Sequence, residues 1–199
     1  MPYDDLPGKM AKLDARNVRY RFDIETDVPW SQLSASGLHL GPRYCHKLGV
    51  DFEGLRRHPE AFNLFQWAAG IEVAEAFEIL ETYLLEFVDD QHESLGPNRS
   101  ALLLYQEEVK HAELFRRYAQ FLRALKPDWI ARFDEKFTGY RPHPYTRDNY
   151  PNAVIQHYFF WLKTLVFEEY TVYMHRELEQ EEVTLQPVWL AAHEVHARE

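Results

Sequence analysis

The amino-acid sequence predicts an all-α helical bundle. Three observations carry that reading. Glycine is scarce, 8 of 199 residues, which disfavours a turn-rich β fold. Long stretches repeat apolar residues at three- and four-residue steps. Proline and turn signals separate those stretches at helical intervals. The length suits one domain with a substantial core, and 13 Phe, 12 Tyr and 5 Trp supply large areas to bury.

Residues 1–57, broken by Pro2, Pro7, Pro29 and Pro42, read as an N-terminal arm with short helices packing on a bundle that spans 58–199. After Pro59 the first long helix is expected over Glu60–Val88, with Phe62, Phe65, Ala69, Val73, Ala76, Leu80, Tyr83 and Phe87 as its apolar face. Glu75, Glu78, Thr82 and Glu86 fall on a face expected to be solvated. Asp89–Asn98, with Gly96-Pro97, reads as a loop, and Ser100 as the N-cap of a second helix over Ala101–Leu125. The buried face of that helix reads Leu104, Tyr105, Glu108, His111, Ala112, Phe115, Tyr118 and Leu122, and Pro127 ends it. A short helix (Trp129–Phe137) and a turn-rich segment follow. This connection, roughly 25 residues at about 3.3 Å each, is long enough to run the length of a 30 Å helix. A third helix is expected over Asn152–Glu179, with Ile155, Phe159, Leu162, Val166, Glu169 and Tyr173 as its stripe, and a fourth from Pro187.

The net charge of −10 argues against nucleic acid or an anionic membrane as partner. Cys45 is the only cysteine, so an intrachain disulfide or a thiolate metal cluster is excluded. With no basic-then-apolar leader pattern and no apolar run of about 20 residues, a cytoplasmic location is expected.

Three carboxylates stand where solvated groups are not expected. Glu72 borders the apolar face of the first helix, Glu108 sits among Leu104, Tyr105, Ala112 and Phe115, and Glu169 among Leu162, Leu165, Val166, Val172 and Tyr173. A carboxylate buried alone is costly and needs a partner or a metal. Glu108-Val109-Lys110-His111 sets a carboxylate and an imidazole on one helix face, within reach of one ion. His196 shares a face with Trp189 and Ala192, with His193 to one side. Mixed imidazole and carboxylate ligands suit iron, and manganese as well. Glu75 and Glu168 stand as alternatives to Glu72 and Glu169, because helix phase drifts when read from sequence.

The segment Gln106-Glu107-Glu108-Val109-Lys110-His111-Ala112-Glu113-Leu114-Phe115 resembles the second-helix motif of ferritin-like diiron proteins. The order Glu72, Glu108-x-x-His111, Glu169, His196 resembles the p-aminobenzoate N-oxygenase family over residues 60–199. The resemblance implies a ferritin-like helical bundle with a long crossover between the second and third core helices. It implies two iron ions held by Glu72, Glu108, His111, Glu169 and His196, a homodimer, and dioxygen-dependent N-oxygenation of a small amine or aromatic substrate. Tyr105, Phe159 and Tyr173 are candidate pocket walls. The family's last motif would continue past Glu199, with a Glu one residue on and a His four residues on. The sequence is therefore expected to be part of a longer chain, to be completed by a second one, or to have lost the oxygenase chemistry and kept the bundle. Other readings are a metal-binding or iron-storage bundle without oxygenase chemistry, a metal-free interaction module with a buried pair such as His111 and Glu169, and a haem-oxygenase-like helical oxygenase.

Overall fold

A computed structural model describes residues 15, 22–34, 36–95, 99–137 and 153–198. The segment 1–14, Gly96-Pro97, the turn-rich stretch around Gly139 and Glu199 lie outside the described residues. The fold is all-α. After a 3-10 turn at Trp30–Gln32, the helices are α1 (Pro42–Lys47), α2 (Phe52–Arg56), α3 (Pro59–Leu95), α4 (Arg99–Leu125), α5 (Pro127–Phe137), α6 (Ala153–Glu179) and α7 (Pro187–Arg198). Among the described residues the only β pairing is an isolated parallel bridge between Leu38 and Leu185.

Helix α3 runs on to Leu95, where a loop from Asp89 was expected. The run of Asp, Gln, His and Glu after Val88 is polar without being helix-breaking, and polarity alone does not stop a helix. Likewise α4 begins at Arg99, so Ser100 is inside the helix and not its cap.

Among the described side chains of α3, the buried ones include Phe62, Gln66, Trp67, Ile71, Ala74, Phe77, Glu81, Leu84, Phe87 and Val88. Of the expected face, Phe62 and Phe87 are buried, whereas Phe65, Ala69, Val73, Ala76, Leu80 and Tyr83 are only half-buried. The helix is rotated by about one residue, roughly 100°. Apolar residues flank the Glu75, Glu78 and Thr82 face on both sides, so periodicity alone does not choose between the two apolar stripes. On α4 the expected phase agrees: Glu108, His111, Phe115, Tyr118 and Leu122 are all buried. Here Glu113, Arg116 and Arg117 mark the opposite face.

Helix α6 departs most from expectation. Phe159, Leu162, Val166 and Tyr173 are exposed, as are Trp161, Leu165 and Tyr170. Among its described side chains, those it buries are Phe160, Thr171, Met174, Glu177 and Leu178; the side chain of Ile155, also on the expected stripe, lies outside the described ones.

The arm packs into the same core as the long helices: Phe22, Val28, Leu40, Tyr44, Cys45 and Phe52 join Trp67, Phe77, Phe115, Tyr118 and Trp189 in one apolar cluster. Polar side chains fix it there. Gln66 Oε1 accepts from the backbone N–H of His39 and of Leu40 at 2.8 and 2.9 Å, and Gln66 Nε2 donates to Leu40 O at 2.7 Å. Gln186 Nε2 donates to Ser34 O at 2.9 Å. Glu181 accepts from the N–H groups of Arg43 and Tyr44, at 3.1 and 2.7 Å. These are the unpaired donors of the first turn of α1, capped from a distant part of the chain.

A second, smaller apolar cluster contains Leu84, Phe87, Val88 and Phe160, with Leu104 and Tyr105 against it. Phe87 and Phe160 stack with ring centroids 3.6 Å apart. On α3 the main cluster reaches Phe77 and the smaller begins at Leu84. On α4 they are bounded by Leu114 and Tyr105. Glu81, Glu108 and His111 lie in these intervals, so a polar layer separates the two clusters.

Candidate metal centre

Four helices bring acidic and imidazole side chains into this layer. Glu81 comes from α3, Glu108 and His111 from α4, Glu168 from α6 and His196 from α7. The Glu-x-x-His step puts Glu108 and His111 on one face of α4, where Glu108 Oε2 lies 2.9 Å from His111 Nδ1. The rings of His111 and His196 approach to 4.5 Å between centroids. One ligand atom each from Glu81, His111 and His196 lies within 4.8 Å of the other two. Glu168 Oε2 is 3.8 Å from His196 Nε2.

Glu81, Glu108, His111 and His196 are all under 5% exposed, so each pays a large desolvation penalty if charged and alone. Burial, and then the charge of Glu108, push the Glu81 carboxyl well above the usual range. Burial also acts to raise Glu108. Its hydrogen bond with His111, its proximity to that ring and its hydrogen bond with Glu81 outweigh this and hold it below the usual range. The proton shared by this pair therefore sits on Glu81. Burial, and then Glu108, raise Glu168 to about 7. Burial, with His111 and His193 nearby, keeps the His196 imidazole neutral.

One contact bears directly on what the layer can hold. Glu81 Oε1 and His196 Nε2 are 3.0 Å apart, yet they are too far off line to make a hydrogen bond, and neither has another hydrogen-bond partner. Two buried polar atoms at that separation but not aimed at each other have the spacing of neighbouring ligands around one cation. A divalent metal would supply the positive charge this carboxylate set lacks, and its donors suit iron, manganese or zinc. The residues present fit such an ion.

No family model, curated protein or solved structure matches the chain. The reading of the site therefore rests on its own geometry.

Of the five residues expected from sequence, the structure brings together Glu108, His111 and His196. Glu72 is two and a half turns N-terminal to Glu81 on α3 and only half-buried, with burial and Glu75 raising its carboxyl. It does not join the layer, because it lies about 13 Å further along the helix axis, at about 1.5 Å per residue. Glu169 is exposed, and its neighbour Glu168 faces His196, because α6 is rotated by about one residue from the expected phase. The anticipated buried pair of His111 with Glu169 is likewise replaced by His111 with Glu108. Glu81 is absent from the sequence-based set. Its signal is its register with Ile71, Ala74, Phe77, Leu84 and Val88, a run of three- and four-residue steps as regular as the one chosen.

The expected pocket walls also shift. Phe159 and Tyr173 are each 43% exposed, and Tyr105 packs against the smaller cluster. The rings that meet the imidazoles are Phe22, stacked on His111 at 5.6 Å, with Phe77 and Phe115 at 5.3 and 5.9 Å from His196.

Proposed function

We propose that this chain is the ferritin-like core of a non-haem iron oxygenase acting on a small amine or aromatic substrate. The observation that carries this reading is the convergence of Glu81, Glu108, His111, Glu168 and His196 from four helices into a buried layer. In it, Glu81 and Glu168 take the roles that the resemblance to the p-aminobenzoate N-oxygenases gives to Glu72 and Glu169. Bound iron would supply dioxygen activation. The chain's own residues prepare for it. Glu108 holds His111 Nδ1, which fixes the ring and leaves Nε2 as its ligand nitrogen. Burial keeps His196 neutral, the form a metal requires. Phe22, Phe77 and Phe115 exclude water from the imidazole side. Glu81 gives up its proton as the metal enters, so binding releases acid.

A second reading is a bundle that binds one metal and has no oxygenase chemistry. The compact three-atom set of Glu81, His111 and His196 favours it.

Metal content after anaerobic loading with ferrous iron tests the site. Wild type is expected to retain iron through desalting, and Glu81→Ala and His196→Ala to lose most of it. Glu72→Ala and Glu169→Ala should retain it, whereas equal loss in those two would restore the sequence-based ligand set. No iron in the wild type would sink the metal reading altogether. Where iron is retained, oxygen-dependent consumption of an arylamine separates the oxygenase from the metal binder.

A further inference from the structure

Tyr118, on α4, lies in the main apolar cluster and is fully buried. Its hydroxyl is 2.8 Å from His39 Nε2. His39 is held on both sides. Gln66 fixes its backbone, and a methyl group added at Gly70 would come within 2.6 Å of the ring at Cδ2, so Gly70 is the close approach that lets the imidazole in. Burial lowers His39 to about 4, so at neutral pH the ring is uncharged and one of its nitrogens is a free base. Nδ1 has no hydrogen-bond partner. If Nε2 accepts from the Tyr118 hydroxyl, one buried donor, Nδ1–H, is left unpaired. If Nε2 donates, both the Tyr118 hydroxyl proton and the Nδ1 lone pair are left unpaired. The first arrangement leaves fewer unmet groups, so Tyr118 donates to His39.

The phenol does not stand alone. The indole of Trp189 stacks on it, 5.4 Å between centroids and 26° between planes. Trp189 also meets His39 edge-on at 5.5 Å and His193 at 4.2 Å. His193 touches Phe77 at 5.2 Å, and Phe77 touches His196 at 5.3 Å. An unbroken series of ring contacts therefore runs from the buried phenol to the carboxylate–histidine layer.

We propose that Tyr118 is a one-electron donor whose phenolic proton passes to His39 as it is oxidised, and that Trp189, His193 and Phe77 couple it to the metal layer. A phenol that loses an electron becomes a strong acid, and in an apolar surrounding it is readily oxidised only if a base receives the proton in the same event. Here the Tyr118 O–H bond breaks, the proton bonds to His39 Nε2, and a neutral phenoxyl radical remains. The electron reduces the oxidant, an iron ion in the layer previously oxidised by dioxygen. Restoring one electron from an external reductant returns the proton from His39 to the phenolate oxygen. The identity of this oxidant rests on the metal reading above, whereas the donor pair does not.

Two oxidation experiments separate these parts. In the first, the metal-free protein is oxidised by flash-generated tris(bipyridine)ruthenium(III) and frozen after exposed radicals have decayed. Electron paramagnetic resonance is expected to show a persistent tyrosyl radical. It should be absent in Tyr118→Phe, at least about tenfold weaker in His39→Gln, and altered in hyperfine pattern when 3-fluorotyrosine, which keeps both ring and hydroxyl, is installed at position 118. No persistent radical, or one unchanged in Tyr118→Phe, would overturn the donor assignment. In the second, the protein loaded with ferrous iron is exposed to air and frozen. The same radical is expected. Its absence there, after a positive first experiment, would leave the donor pair standing and overturn its coupling to iron.

Discussion

Glu177 on α6 binds two cations at once: Arg43 Nε and Lys47 Nζ each lie 2.7 Å from its Oε2. The hydrogen bonds from Arg43 and then Lys47 draw its carboxyl down from 4.5 to about 2. The folded state therefore binds the proton less readily than the unfolded chain does. The stabilisation is fully present above 4.5 and is lost as the pH falls through the folded value near 2. The melting temperatures of wild type and Glu177→Gln should differ most at neutral pH and converge on acidification. A difference that stays constant with pH would mean that packing, and not charge, is what the substitution removes. Because both cations belong to α1, this carboxylate, with Glu181, ties the arm to the end of α6.

At the scale of the element, helix phase decides which residues matter. Phe77 faces Phe115, Phe167 and His193, and Phe77→Ala should cost about 3–5 kcal/mol in urea unfolding, as buried aromatic truncations do. Val166 on α6 is 62% exposed, and Val166→Ala should change stability by about 0.5 kcal/mol or less. The reverse order of effects would restore the phase expected from sequence. The helices themselves were legible from sequence: proline positions and apolar spacing place α4, α6 and α7 within a few residues of where they lie, and α3 except for its last two turns. The buried side of α4 was legible too, because charged residues mark its far face, and with it Glu108 and His111. On α3 the face of Glu75, Glu78, Thr82 and Glu86 is bordered by apolar residues on both sides, and α6 is apolar nearly all round, so neither pattern chooses between adjacent apolar stripes. Each is rotated by about one position from the expected phase, which on α6 puts Glu168 in place of Glu169 and on α3 turns inward the stripe that contains Glu81. The Tyr118–His39 pair joins α4 to the arm, and no local spacing rule reports a contact between residues so far apart in sequence.

For the whole molecule, the feature with the widest consequence is the polar layer between the two apolar clusters. Hydrophobic packing is continuous within each cluster, but across the layer the helices meet through Glu81, Glu108, His111 and His196. The end containing Leu84, Phe87, Val88 and Phe160 is thus joined to the rest by covalent chain and polar contacts more than by close-packed hydrocarbon. Such a division weakens cooperativity, since a region with its own small core can open without opening the other. Amide hydrogen exchange on the metal-free protein should show the backbone around Leu84–Val88 exchanging faster than that around Ile71–Phe77. An ion bound by four helices stabilises only the state in which all four are in place, so loading with metal should bring the two rates together. Uniform protection without metal would show that the layer does not divide the bundle. If the rates do converge on loading, the ion is also the clasp that makes two folding units respond as one.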